Sequence, residues 1–329
     1  MAHQRHLEKT KYRQWVKAGL GLTYLREGIA PFCDDIAKLQ HKDILDNIKQ
    51  TKSLSAVTCG QCCWMTLRPD HAKGGNRACI LGQRNCNCCN PAGKITCPNK
   101  VCGAIYDAIV TSHGFTPPAP YWKNTETHHW CTDPWFIAKC FINAPGYDKK
   151  ASAADIDCIG LLHLIRNNQY FHNHIQCKIT QTDVFSKVIA DRNEIFHSST
   201  MELEETEANS YIDDMIAVLQ SGKELNNRQD AKVAVKKLEE LKNKDFVIST
   251  ENEASLLRLV AEEIRDMLER FENKTEDLAT KEECDRLRKQ LSELESVISE
   301  LKREINRLKA DVSFQQEPLD YEQSKLGKS

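Results

Sequence analysis

Two groups of residues have the types and spacing that chemistry needs. The first is the run Asp191-Arg192-Asn193-Glu194-Ile195-Phe196-His197. On a helix, Phe185, Val188, Ile189, Ile195 and Phe196 define one apolar face, and Arg192 lies three or four residues from members on both sides. It therefore points inward, where a guanidinium is costly unless paired. Asn193 and His197 are four apart and stack on one adjacent strip. An inward arginine can offer a planar fork to phosphate oxygens. A histidine can move a proton near neutral pH. The alternative is a structural Arg-carboxylate network with no chemistry.

The second group is the cysteines. Of 15, all but Cys284 lie at or before Cys177. Cys59 and Cys62 form a CxxC pair followed by Cys63. Cys79 precedes Cys86, Cys88 and Cys89. Cys97 and Cys102 flank the start of a helix, and His128, His129 and Cys131 follow. Thiolates and imidazoles at such spacings suit tetrahedral zinc. The sets predicted are Cys97, Cys102, His129 and Cys131 for one zinc, and Cys59 and Cys62 with Cys88 or Cys89 for another. Structural zinc would supply folding energy to a long insertion. The alternative is a set of free buried thiols, each a small hydrophobe. Cys140, Cys158 and Cys177, in helical or edge contexts, fit that description. His163 and His172 fit surface or core positions, and Cys284 fits a coil core.

The chain that must position these groups has 329 residues and a formal charge of −2. That balance excludes a strongly basic nucleic-acid coat and an acidic disordered tail. With 40% hydrophobic and 28% charged residues, the composition is that of a globular protein. No apolar run reaches the roughly 18 residues of a membrane span. Met1 to Trp15 lacks an apolar signal-peptide core, so a cytoplasmic or nuclear chain with reduced thiols is expected.

Periodicity predicts helices throughout. One begins near Leu7 and stops at Pro31; another runs from Asp34 or Asp35 to Ile48. Residues 52–132 form a Cys-rich, Gly- and Pro-containing insertion, broken by a helix over Val101–Val110. Further helices are expected at Asp133–Phe141, capped by Asp133, at Asp155–Arg166, after Thr182, and at Ser210–Gln220. Residues 7–222 make one all-α bundle around that insertion. Residues 229–313 form a coiled-coil region. There Leu287, Leu291, Leu294, Ile298, Leu301, Ile305, Leu308 and Val312 step four and three. Mostly β-branched a positions with leucine at d favour a parallel pair of strands, about 43 Å long over 284–312. A single surface helix is the alternative. Residues 314–329 read as a disordered tail.

Arg-Asn, three residues, then His near the end of an all-α bundle resembles the motif of the HEPN (higher eukaryotes and prokaryotes nucleotide-binding) superfamily. Three blocks, Gln14-Trp15-Val16-Lys17-Ala18-Gly19 with Leu25-Arg26, Asp133-Pro134-Trp135-Phe136-Ile137-Ala138-Lys139, and Arg192 to Ser199, together resemble one animal family. That family is known mainly as an uncharacterised X-chromosome open-reading-frame protein. Its HEPN-like domain is similar to that of the DAZ-interacting zinc-finger ubiquitin ligase. The resemblance, over roughly residues 10–220, implies a HEPN-like bundle of antiparallel helices that dimerises so that the Arg and His of both subunits line one cleft. Active members are metal-independent endoribonucleases in which a ribose 2′-hydroxyl attacks the adjacent phosphorus. Carried over, His197 assists proton transfer, Arg192 holds phosphate charge and Asn193 orients the two. The expected function is therefore an RNA- or nucleotide-binding homodimer, held by coil and HEPN-like domain, with ribonuclease activity. The alternative is a non-catalytic adaptor that binds proteins, in which Arg192 and His197 only hold the fold.

Overall fold

The computed structural model describes residues 9–75, 78–175, 183–198, 200–243 and 246–275, together with Ser299, Arg303 and Asn306. It is all-α. Among the described residues the only β contacts are isolated bridges, Leu67 to Ile95, Lys73 to Cys79 and His113 to Asn168. The longer helices are α1 (Thr10–Thr51), α2 (Cys102–Thr111), α3 (Cys158–Asn167), α4 (Val184–His197), α5 (Glu205–Leu219), α6 (Gln229–Lys242) and α7 (Thr250–Thr275). No helix among the described residues is long and apolar enough to cross a membrane.

The two helices predicted on either side of Pro31 are one: α1 runs unbroken for 42 residues with Pro31 inside. Proline removes one N–H and crowds the carbonyl four residues back. Here both Pro31 and Glu27, whose carbonyl is affected, are exposed, so water can satisfy that carbonyl. Ile29, Phe32 and Cys33 beside them are almost wholly buried, and this packing outweighs the local cost.

Other boundaries follow their caps. The helix expected from Asp155 starts at Cys158, because Asp157 rather than Asp155 accepts from the Gly160 N–H. The helix expected from Ser210 starts at Glu205, where the Glu207 carboxylate reaches back to the Glu204 N–H at 2.9 Å. Thr182 lies outside the described residues; Asp183 Oδ1 accepts from the Ser186 N–H at 2.9 Å near the start of α4.

The chain divides into two compact units. One gathers the described parts of residues 1–21, 191–212 and 239–329. In it Trp15 and Val16 of α1, Ile195 of α4 and Leu256, Leu257, Val260 and Ile264 of α7 are buried. The Tyr12 hydroxyl donates to the buried Glu253 carboxylate at 2.6 Å. Gly19 lets α1 and α7 approach closely: a Cβ there would stand 2.5 Å from a Leu256 methyl. The apolar face of α7 is thus packed within its own unit up to Ile264. The heptad segment 284–312 lies outside the described residues, apart from helical Ser299, Arg303 and Asn306, and so does 314–329.

The other unit gathers residues 22–190 and 213–238. Its core joins Leu25, Ile29 and Phe32 of α1, Ile105 and Ile109 of α2, Leu161, Leu162 and Ile165 of α3, and Met215 and Leu219 of α5. The helix expected from Asp133 is α-helical only over Trp135–Ala138, with Pro134 at its N-cap position; Asp133 Oδ1 accepts from the Trp135 N–H at 2.9 Å just before it. The Trp135 indole donates to Asp34 Oδ1 at 2.8 Å. Buried Lys139 donates to the carbonyls of Asp148 and Lys150 and lies over the Phe136 ring. The Cys-rich insertion belongs to this unit.

Candidate functional site

The insertion carries little regular structure, so its shape rests on a few tertiary ties. The segments around Leu67 and Ile95 run parallel, with Arg68 N–H to Ile95 O at 2.9 Å and Ile95 N–H to Thr66 O at 2.7 Å. That tie carries the CxxC pair toward Cys97. Gly103, in the first turn of α2, lets the Arg68–Asp70 segment lie against the helix; a Cβ there would collide with the Asp70 carboxylate.

The outcome is a cluster of Cys59, Cys62, Cys97 and Cys102 whose sulfurs all lie within 4.8 Å of one another. Cys59 Sγ is 3.6 Å from Cys62 Sγ and 3.7 Å from Cys97 Sγ. Four thiolates on one tetrahedral ion, each on a bond of about 2.3 Å, stand about 3.8 Å apart. The spacing suits a metal ion without rearrangement. Electrostatics agree. Burial pushes the Cys62 thiol up to about 12. Burial also opposes ionisation of Cys97, yet backbone N–H groups of Cys102, Val101 and Asn99 bring it down to about 7. One thiolate is stabilised among neutral thiols, and a bound cation would drive the protons off the others.

The expected ligand sets are regrouped. Cys97 and Cys102 do come together, with Cys131 buried against Cys102, but His129 does not join them. His129 lies in a 3₁₀ turn, Thr127–His129, with Glu126 and His128, its side chain 43% exposed. The reason is the next residue: fully buried Trp130 turns inward and donates to Thr125 Oγ1, leaving His129 outside. Cys59 and Cys62 join Cys97 and Cys102, not Cys88 or Cys89. Cys88 instead lies with His71, Cys79 and Cys86, and Cys89 Sγ is 3.7 Å from Cys88 Sγ. Asn87 sets this orientation by donating to the carbonyls of Trp64 and Leu67 at 2.7 and 2.8 Å. Both sulfur-rich clusters could hold a metal ion. Cys140 and Cys158 are buried, as their contexts suggest; Cys177 and Cys284 lie outside the described residues.

Sequence reasoning missed His71, Cys79 and Cys86 as a set. Cys86-x-Cys88 with Cys79 seven residues earlier is a signal that could have found the sulfurs. His71 has no cysteine beside it and carries no local signal.

The second candidate site lies on α4. Arg192 is 5% exposed, its guanidinium donating to Asn193 Oδ1 at 3.2 Å and lying 4.9 Å from the Phe196 ring centre. Asn193 itself is exposed. The Trp15 indole donates to the Ile195 carbonyl at 2.8 Å, satisfying one of the last four carbonyls of α4. His197 closes α4, and its side chain lies outside those described.

A family model described as a domain of unknown function, DUF4559, matches residues 6–326. The chain belongs to this family. This DUF4559 chain is also 27% identical, over 201 residues, to the Mus musculus protein named uncharacterized protein CXorf38 homolog. The match covers 61% of this chain and 52% of the relative, so the chain spans about half the length of the curated relative it matches. No solved structure matches the DUF4559 chain significantly.

Proposed function

We propose that this chain is an RNA- or nucleotide-binding protein of HEPN type, acting as a homodimer, with Arg192, Asn193 and His197 as its phosphate-handling site. Zinc at Cys59, Cys62, Cys97 and Cys102 staples the insertion and takes no part in the reaction. Four thiols are a soft donor set that selects zinc over magnesium or calcium. Thiol ligation fits a reducing compartment, the cytoplasm or nucleus.

The observation that supports the RNA reading is the burial of Arg192 beside Asn193. An exposed asparagine that accepts from a buried guanidinium marks a side from which a phosphate could reach that charge. In the reaction, the ribose 2′-hydroxyl attacks the adjacent phosphorus, the 5′-oxygen leaves, and a 2′,3′-cyclic phosphate forms. His197 assists proton transfer, and Arg192 balances the charge gathering on phosphate oxygens.

The experiment is incubation of the full chain with mixed-sequence RNA in the absence of added metal. Cleavage to 2′,3′-cyclic ends is expected, falling at least about 10²-fold in His197→Ala and Arg192→Ala. A wild type that neither binds nor cleaves the RNA refutes the reading. An adaptor role is the second reading, favoured by the Trp15–Ile195 hydrogen bond that ties this same turn into the core. In that case Arg192→Ala loses stability and nothing else.

A further inference from the structure

The cluster around His71 has a feature that the cluster around Cys59 lacks. His71 Nδ1 is 2.7 Å from Asp107 Oδ1, and the His71 backbone N–H donates to Asp107 Oδ2 at 2.8 Å. Both carboxylate oxygens are thus engaged by one residue, which fixes the imidazole in rotation and position. With Nδ1–H donated to a carboxylate, the lone pair of the ring is on Nε2. That atom is 3.2 Å from Cys79 Sγ and 3.4 Å from Cys86 Sγ. Cys88 Sγ completes a group whose ligand atoms all lie within 4.8 Å of one another.

Two chemistries could use a carboxylate, an imidazole and a thiol in series. One is nucleophilic catalysis, where histidine takes a proton from a single cysteine that faces a substrate. Here the ring faces two thiols and a third stands beside them. Cys79, Cys86 and Cys88 are 8%, 1% and 7% exposed, so no sulfur is presented to a substrate. The other is metal ligation, in which a ligating imidazole donates its remaining N–H to a carboxylate that fixes its tautomer. Three sulfurs and one nitrogen converging at roughly tetrahedral-edge separations are a structural zinc set.

We infer that His71, Cys79, Cys86 and Cys88 bind a second zinc ion, distinct from the one at Cys59, Cys62, Cys97 and Cys102, and that Asp107 is its positioning residue. The surroundings are built for it. The chain turns tightly at two of the ligands, Cys79 and Cys86, with Gly82 N–H to Cys79 O and Cys89 N–H to Cys86 O, both at 3.0 Å. The Tyr106 hydroxyl donates to Gln83 Oε1 at 2.9 Å and stands 3.8 Å from Cys86 Sγ. Tyr106 and Asp107 both sit on α2, the helix that Cys102 opens, so one helix supports both clusters.

The test is metal analysis and zinc-edge X-ray absorption on the full chain, purified with reductant. Two zinc ions per chain are expected, with imidazole scattering at roughly half a nitrogen per zinc, since one ligand in eight is a histidine. Cys86→Ser with Cys88→Ser should remove one zinc, and Cys59→Ser with Cys62→Ser the other. Asp107→Asn should keep both but surrender one to a competing chelator about 10- to 100-fold more readily. The absorption measurement uses the wild type, so it decides the matter even if the double variants misfold. One zinc with purely sulfur ligation overturns the inference. So do two zincs that survive Cys86→Ser with Cys88→Ser, or a chain without zinc. None of these outcomes depends on whether α4 acts on RNA.

Discussion

His113 should make the protein acid-sensitive, by an amount the structure allows to be worked out. It is 4% exposed, between Phe115 and Phe141, and its Nδ1 accepts from the Phe115 N–H at 3.2 Å. Burial lowers its pKa to about 4, from an ordinary 6.5. A histidine whose folded pKa is depressed binds its proton less readily in the native state than in the unfolded chain. Its contribution is therefore fully present above the unfolded pKa and is lost as pH falls from 6.5 toward 4. At 1.36 kcal/mol per pKa unit, the loss reaches about 3 kcal/mol at pH 4 and is complete only below that pH. The assay is urea unfolding from pH 8 to pH 4, comparing wild type with His113→Asn, whose Oδ1 can take the place of Nδ1 as acceptor. Carboxylates and thiols near any metal titrate in both proteins and cancel in the difference. His113→Asn should cost stability at pH 8, and its deficit should shrink by about 3 kcal/mol at pH 4. A difference independent of pH would refute the reasoning, as would an imidazole that titrates near 6.5 by NMR in the folded chain.

Other substitutions test the packing. Trp15→Phe leaves the Ile195 carbonyl without its indole donor and should cost about 1–3 kcal/mol by urea denaturation; no loss would mean water replaces the indole. Asp157→Ala removes the cap of α3 and the Tyr147 hydroxyl's acceptor, so about 0.5–2 kcal/mol should go, with fraying of Cys158–Gly160 visible in amide exchange. Gly28→Ala would place a Cβ 2.6 Å from a Leu219 methyl and 2.7 Å from the Ala234 Cβ; a cost of about 1–3 kcal/mol is expected, and a thermal midpoint equal to wild type would refute the close approach.

The helices were legible where one face is apolar at helical spacing, because periodicity reports burial directly. Pro31 misled because a local rule was applied where Ile29 and Phe32 anchor both sides of the break. Arg192 was legible as buried, for it interrupts an apolar face. The insertion was legible only as a place that needs ties. Which cysteines meet depends on contacts far apart in sequence, the Leu67–Ile95 bridge and the Asn87 side chain, and no spacing rule encodes those. His71 was invisible for the same reason: its partner Asp107 is 36 residues away, on a helix whose sequence advertises only its apolar face.

One ten-residue helix, α2, carries Cys102 at its start and Asp107 at its middle. Any ion bound at either cluster orders the same short helix, so the two binding equilibria are thermodynamically linked. The first ion to bind lowers the ordering cost that faces the second, and by reciprocity the loss of either loosens the hold on the other. Metal depletion would then show each site's affinity depending on whether the other is filled, and a chain whose second set is substituted would keep its first ion but hold it less tightly.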